Sequence, residues 1–209
     1  MDDRPTRRVV VVDYDVAWSR RFEELRARVW PALAGVALRI EHVGSTSVPG
    51  LAAKPIIDLT VVVAARCDVP TAIARLAGLG YRHQGNFGID DRDVFDHPAD
   101  LPRHNLYVCP DGAVSLVNQV TLRDVLRAQP ELSRRYGELK TRLAAKFPND
   151  IGSYVVGKTD FILDALRRAG LSSDQLASIE RHNRRSSIAR RPSADDRRHT
   201  PRQRSRRRS

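Results

Sequence analysis

Residues Ile56 to Val63 read Ile-Ile-Asp-Leu-Thr-Val-Val-Val, and no other stretch of the chain limits the fold so strongly. A run this apolar and β-branched reads as a strand lying centrally in a sheet, covered on both faces. Alternation places Ile56, Asp58, Thr60 and Val62 on one face and Ile57, Leu59, Val61 and Val63 on the other. A carboxylate inside such a strand needs a partner, because an unpaired buried charge is costly. Lys54 is near enough in sequence to be that partner.

The strand is approached through a loop, Gly44-Ser45-Thr46-Ser47-Val48-Pro49-Gly50, which follows a second candidate strand, Leu38 to Val43. Glycine brings no Cβ into a contact, so a strand ending in Gly-Ser lets backbone N–H groups and a hydroxyl approach an anion closely. Taken singly, a Gly-Ser pair is a turn and a strand aspartate pairs with a lysine. In combination, a Gly-Ser loop returning to an aspartate on an apolar strand raises a phosphate and metal site.

Around this centre the pattern is α+β. Val9 to Val12 reads as a first strand, and Trp18, Phe22, Leu25 and Val29 form one helical face that Pro31 kinks or ends. Asp68-Val69-Pro70 opens a helix through Ile73, Leu76 and Leu79, closed by Gly80. Residues 84–102 are polar and turn-rich, a long loop or weakly paired hairpin. His104 to Val108 is the next strand, after which the chain turns helical, with Pro130 suited to a first turn and Thr159 to a cap. The order predicts a mixed sheet with packed helices and a helical C-terminal half.

Charge divides the chain. Residues 181–209 hold 12 arginines against Asp195 and Asp196, a local net of +10 out of a total of +11, so residues 1–180 stand at +1. The basicity belongs to a tail. We expect an N-terminal arm over 1–8, one domain over 9–172, a terminal helix over 173–185, and a disordered segment over 186–209 too poor in apolar residues to fold. Two separated cysteines, Cys67 and Cys109, give no disulfide framework and suit a reducing compartment as small buried or half-buried thiols. No run approaches the roughly 20 apolar residues that cross a bilayer, so the expectation is a soluble, cytoplasmic protein without a membrane partner.

Several elements together resemble the GrpB family: Glu41-His42-Val43-Gly44-Ser45-Thr46, then Val48-Pro49-Gly50-Leu51, then Lys54-Pro55-Ile56-Ile57-Asp58. The resemblance extends through Asp15 and Trp18, His104 to Val108, Arg123-Asp124 with Leu126-Arg127, Tyr136 with Lys140, and Tyr154, Lys158 and Phe161, covering about residues 9–170. It implies a nucleotidyltransferase-like fold, similar to the DNA polymerase beta type, in which Gly-Ser holds a triphosphate and an Asp-x-Asp pair holds magnesium. Gly44 and Ser45 then match the phosphate element, Lys54 neutralises charge, and Asp58 matches the first metal carboxylate. The second position is Thr60, and one strand carboxylate poorly holds two ions about 4 Å apart. Candidates to complete the site are His42, His104 and the loop acids Asp90, Asp91, Asp93 and Asp96. His42 also reads as a core imidazole, and the loop acids as solvated. Arg123, Asp124 and Arg127 read as a salt-bridged structural set or as phosphate ligands.

Three functions compete. The first is a nucleotidyltransferase using a nucleoside triphosphate and Mg²⁺. The second is a non-catalytic nucleotide-binding or chaperone-like module, since domains of this kind occur fused to dephospho-coenzyme A kinase; the missing carboxylate favours it. The third is nonspecific nucleic-acid binding through the arginine-rich tail, which leaves the Gly-Ser to Asp58 organisation unexplained.

Overall fold

A computed structural model describes the backbone of residues 8–188 and the side chains through Arg184. Five strands form one sheet: β1 (Ala37–Val43), β2 (Ile57–Val63), β3 (Arg82–His83), β4 (Asp93–Asp96) and β5 (His104–Pro110), in the order β1-β2-β5-β4-β3. Only β2 and β5 run parallel; the other pairs are antiparallel, so the sheet is mixed. The apolar strand lies inside it, and the expected Leu38–Val43 strand is its antiparallel neighbour.

One sheet face is roofed by α1 (Ala17–Leu33) and α2 (Val69–Ala77). Trp18, Phe22, Leu25 and Ala53 pack with Ile57 and Leu59, while Val29, Leu33, Val69, Ala72 and Leu76 pack with Val61, Val63, Leu106 and Val108. Full burial of each large side chain is worth roughly 1.5–3 kcal/mol, so these two stripes anchor the sheet. Pro31 sits in the last turn of α1 and does not end it before Leu33. Val29 and Leu33, both fully buried, hold that turn on the sheet. Gly80 does end the second helix: at φ +84° its N–H donates to Ala77 O (2.9 Å) and the Tyr81 N–H to Leu76 O (3.1 Å), the Schellman closure that favours glycine.

The opposite face is covered by α3 (Val114–Ala128), and the chain then runs through α4 (Pro130–Lys146), α5 (Ile151–Val156), α6 (Thr159–Arg168) and α7 (Ser173–Ile188). Leu126 of α3 and Tyr136 of α4 close over Val48 and Leu51, so the helical half clamps the loop between β1 and β2. Pro130 occupies the first turn of α4 as expected.

Three local expectations are corrected, and one is given its form. Val9–Val12 is no sheet strand: it makes one bridge, Val12 to Ala53, and the Val9 N–H donates to Pro148 O at 2.7 Å, so it straps the helical half. Thr159 does not cap α6; its hydroxyl donates back to Val155 O at 3.4 Å. The turn-rich stretch takes the hairpin form of its expectation: β3 and β4 pair over two residues, and Val94 and Phe95 of β4 pair in turn with Tyr107 and Leu106. Cys109 is buried, but Cys67 is exposed. The tail expectation falls mainly outside the described residues, and α7 continues three residues past 185. Among the described residues no helix is long and apolar enough to cross a membrane.

Candidate functional site

Val43, the last residue of β1, faces Asp58 across the β1–β2 ladder, so the chain enters the Gly-Ser turn directly beside the carboxylate. Gly44 has φ +70°, and a Cβ built on it would lie 2.2 Å from Asp58 Oδ2. Both the backbone conformation and the lack of space demand glycine there. Beyond it, Ser45–Ser47 make a single 3-10 turn, with Ser47 Oγ donating to Gly44 O at 2.6 Å. Arg127 donates twice to Ser47 O (2.7 and 3.0 Å), and Arg123 donates to Glu41 (2.7 Å), Asp124 (2.7 Å) and His42 O (3.1 Å). These guanidiniums pin α3 to the turn and fix its shape.

A cleft of about 680 Å³ opens in front of this turn. Its described lining includes six basic side chains, Arg8, Lys54, Arg103, Arg123, Lys140 and Lys158, and one acid, Asp58. Tyr154 is buried between two of the cations, with Lys54 Nζ 5.7 Å and Lys158 Nζ 4.6 Å from its ring centroid, a geometry that favours positive charge over the ring. Asp58 opens partly to the cleft, and its Oδ1 accepts from Asn105 Nδ2 at 2.7 Å. Desolvation raises its pKa, opposed by the Asn105 hydrogen bond and the charges of Lys54, Lys158 and Arg92. Thr60, in the place of a second carboxylate, is fully buried and donates to Gln119 Oε1 at 2.9 Å.

The fold therefore brings Gly44, Ser45, Lys54 and Asp58 to one cleft, and leaves His42 and His104 outside it. His42 stacks on Phe22 at 4.4 Å, and its Nε2 meets Thr46 Oγ1 at 3.2 Å. Desolvation, with Arg127 and Arg123 nearby, lowers its pKa to about 4, so the neutral ring props the turn from behind. His104 lies on the other sheet face, with Nε2 at 2.8 Å from Tyr81 OH and Nδ1 at 2.7 Å from Pro102 O, leaving no ring nitrogen for an ion at Asp58. The solvated reading of Asp93 is corrected: it is buried between Arg66 (2.5 Å) and His83 (2.8 Å). Asp91 accepts from Ser115 N at 3.1 Å, at the start of α3. Among the described residues no group of three His, Cys, Asp or Glu can hold a metal ion.

Two cleft residues escaped sequence reading in their roles. Asn105 comes to Asp58 only through the parallel β2–β5 register. Lys140 sits one turn after Tyr136 on the core side of α4, 1% exposed, with Nζ 4.7 Å from the Tyr136 ring and no hydrogen-bond partner among the described residues. Desolvation, then the like charge of Lys158, lowers its pKa to about 6. Its place on the apolar side of the 132–143 helical pattern was the available signal.

The family model described as GrpB protein matches residues 8–168, which include every residue of the Gly-Ser to Asp58 element and all but Asn183 of the cleft lining. The chain belongs to the GrpB family. A crystal structure of conserved protein GrpB from Enterococcus faecalis is 33% identical, covers 77% of this chain and 96% of that one, and superposes with a TM-score of 0.69. The GrpB fold of this chain therefore has an experimental counterpart over nearly all of that protein. The UPF0157 protein YqkA of Bacillus subtilis is 32% identical over 165 residues, 79% of this chain; the chain spans about half (48%) of that relative's length. A dephospho-CoA kinase of Mycolicibacterium paratuberculosis is 26% identical over 186 residues, 77% of this chain and 46% of that protein. A Cid1 poly(U) polymerase with MgGTP bound also superposes, at 10% identity and a TM-score of 0.40, too low for an argument about mechanism.

Proposed function

We propose that the cleft binds the phosphate groups of a nucleoside triphosphate or another phosphorylated small molecule, as a binding module. The observation that carries this reading is the charge of the described lining, five cations (Arg8, Lys54, Arg103, Arg123 and Lys158) against Asp58, set around a glycine turn where a Cβ has no room. Lys54 and Lys158 hold phosphate oxygens as point charges, and the turn offers its backbone at close range. A pair of magnesium ions does not fit: the strand supplies one carboxylate, Thr60 is committed to Gln119, and neither histidine reaches Asp58. Charge in the cleft is thus balanced by lysine and arginine. Similarity to part of a protein named dephospho-CoA kinase supports a module that accompanies phosphorylated substrates.

Nucleotidyl transfer is the second reading, favoured by one observation: the carboxylate of Asp58 lies hard against the Gly-Ser turn. A thermal-shift titration with ATP, with and without Mg²⁺, separates the two. A ligand held only by the native state stabilises by RT ln(1 + [L]/Kd), about 2.7 kcal/mol at 100 Kd. For the binding module, ATP alone raises the melting temperature, Lys158→Met weakens the shift, and Asp58→Asn preserves or enlarges it because a repelling charge is gone. A shift that requires Mg²⁺ and vanishes in Asp58→Asn, together with transfer of label from a labelled triphosphate, supports the enzyme. No shift under either condition overturns both.

A further inference from the structure

Lys140 is a buried ionisable group in the cleft wall whose charge the binding reading has not used. It projects from α4 into the cleft wall, where its amine lies over the Tyr136 ring and meets no acceptor among the described residues. Facing the same space are Tyr154 of α5, Lys158 at the start of α6, Lys54 from the segment before β2, and Arg123 from α3, while Asp58 is the one carboxylate in the described lining. An ammonium here has no hydrogen-bond acceptor among the described residues, and the charge that acts on it, Lys158, repels it. Such an environment favours the neutral amine, and burial moves its pKa down to about 6.

We propose that Lys140 makes anion binding in this cleft proton-linked, its amine taking up one proton as a polyphosphate enters. The inference rests on the binding reading given above. A polyphosphate brings several negative charges into the space that lacks them, and at the effective dielectric of a protein site, roughly 20, charges several ångströms away strongly favour the ammonium. The proton comes from solvent and no covalent bond changes. The sign follows: affinity rises as pH falls toward the pKa of the free protein, by up to tenfold per pH unit, and levels off below it, where Lys140 is already charged.

The test is titration calorimetry of the full chain with inorganic tripolyphosphate at pH 7.5, in two buffers of different ionisation enthalpy, on wild type and Lys140→Met. Because the ligand's own protonation is common to both proteins, the difference between them isolates Lys140. The wild type should take up close to one proton more than the variant, and its affinity should fall more steeply between pH 7 and 8. If the variant fails to fold, wild-type proton uptake beyond that of the ligand alone serves as the same readout. Equal uptake and parallel pH profiles overturn the role of Lys140 while leaving the binding reading intact. No binding to either protein overturns the binding reading, and the proton linkage with it.

Discussion

Replacing Lys140 with methionine is expected to stabilise the protein at pH 7, by roughly 3–5 kcal/mol, since each pKa unit of depression is worth about 1.4 kcal/mol. Methionine keeps the long unbranched shape and removes the amine that folding now strips of its proton. The folded pKa, about 6, lies below the ordinary lysine value of 10.5, so the unfolded chain binds more protons across that interval. Wild-type stability should therefore rise with pH from about 6 to 10.5, and the penalty should be complete and constant below 6. The advantage of Lys140→Met is greatest in acid and fades as pH approaches 10.5. Scanning calorimetry of both proteins from pH 6 to 10 checks this. A variant less stable than wild type, or a difference that ignores pH, would contradict the buried neutral amine.

Gly44→Ala should cost about 2–4 kcal/mol, toward the upper end of single substitutions. Left-handed backbone alone costs a non-glycine residue roughly 1–2 kcal/mol. The rest comes from the new methyl, which would stand 2.2 Å from Asp58 Oδ2 and 2.9 Å from its carboxyl carbon, forcing the carboxylate off Asn105. The two parts separate in a double-mutant cycle. In an Asp58→Ala background the two closest obstructing atoms are absent and only the Cβ at 3.2 Å remains, so Gly44→Ala should cost little more than the backbone term. Urea unfolding midpoints of the four proteins decide it, and equal costs in both backgrounds would mean that Gly44 and Asp58 do not touch.

What the sequence disclosed follows from which interactions are local. The α1 face at Trp18, Phe22, Leu25 and Val29 is a 3.6-residue period, and each of these residues is buried. The β1–β2 pair is joined by a short loop, and the closure at Gly80 is fixed within one turn. β4 was legible only as one side of a loop or weakly paired hairpin, because Asp93 and Asp96 bound its two apolar residues; Asp93 is tolerated inside through His83 of the paired strand and Arg66 from a separate segment. His104 read as a possible ligand because a strand pattern does not tell which face a lone residue takes in the parallel register, and that register turns it to Tyr81. Gly44, Ser45, Lys54 and Asp58 lay within one stretch, so their meeting was legible. Lys140 joins them from nearly ninety positions beyond Lys54: the helical period of α4 marks its burial, but which residues it meets is set by packing between distant segments.

Assigned amide spectra of the full chain titrated with ATP would test the central claim most directly, because they locate the phosphate by residue. The claim requires saturable shifts at Gly44, Ser45, Lys54, Asp58 and Asn105, reduced in Lys158→Met. Shifts confined to the arginine-rich residues 189–209, or no saturable shift around Gly44 and Asp58, would contradict it.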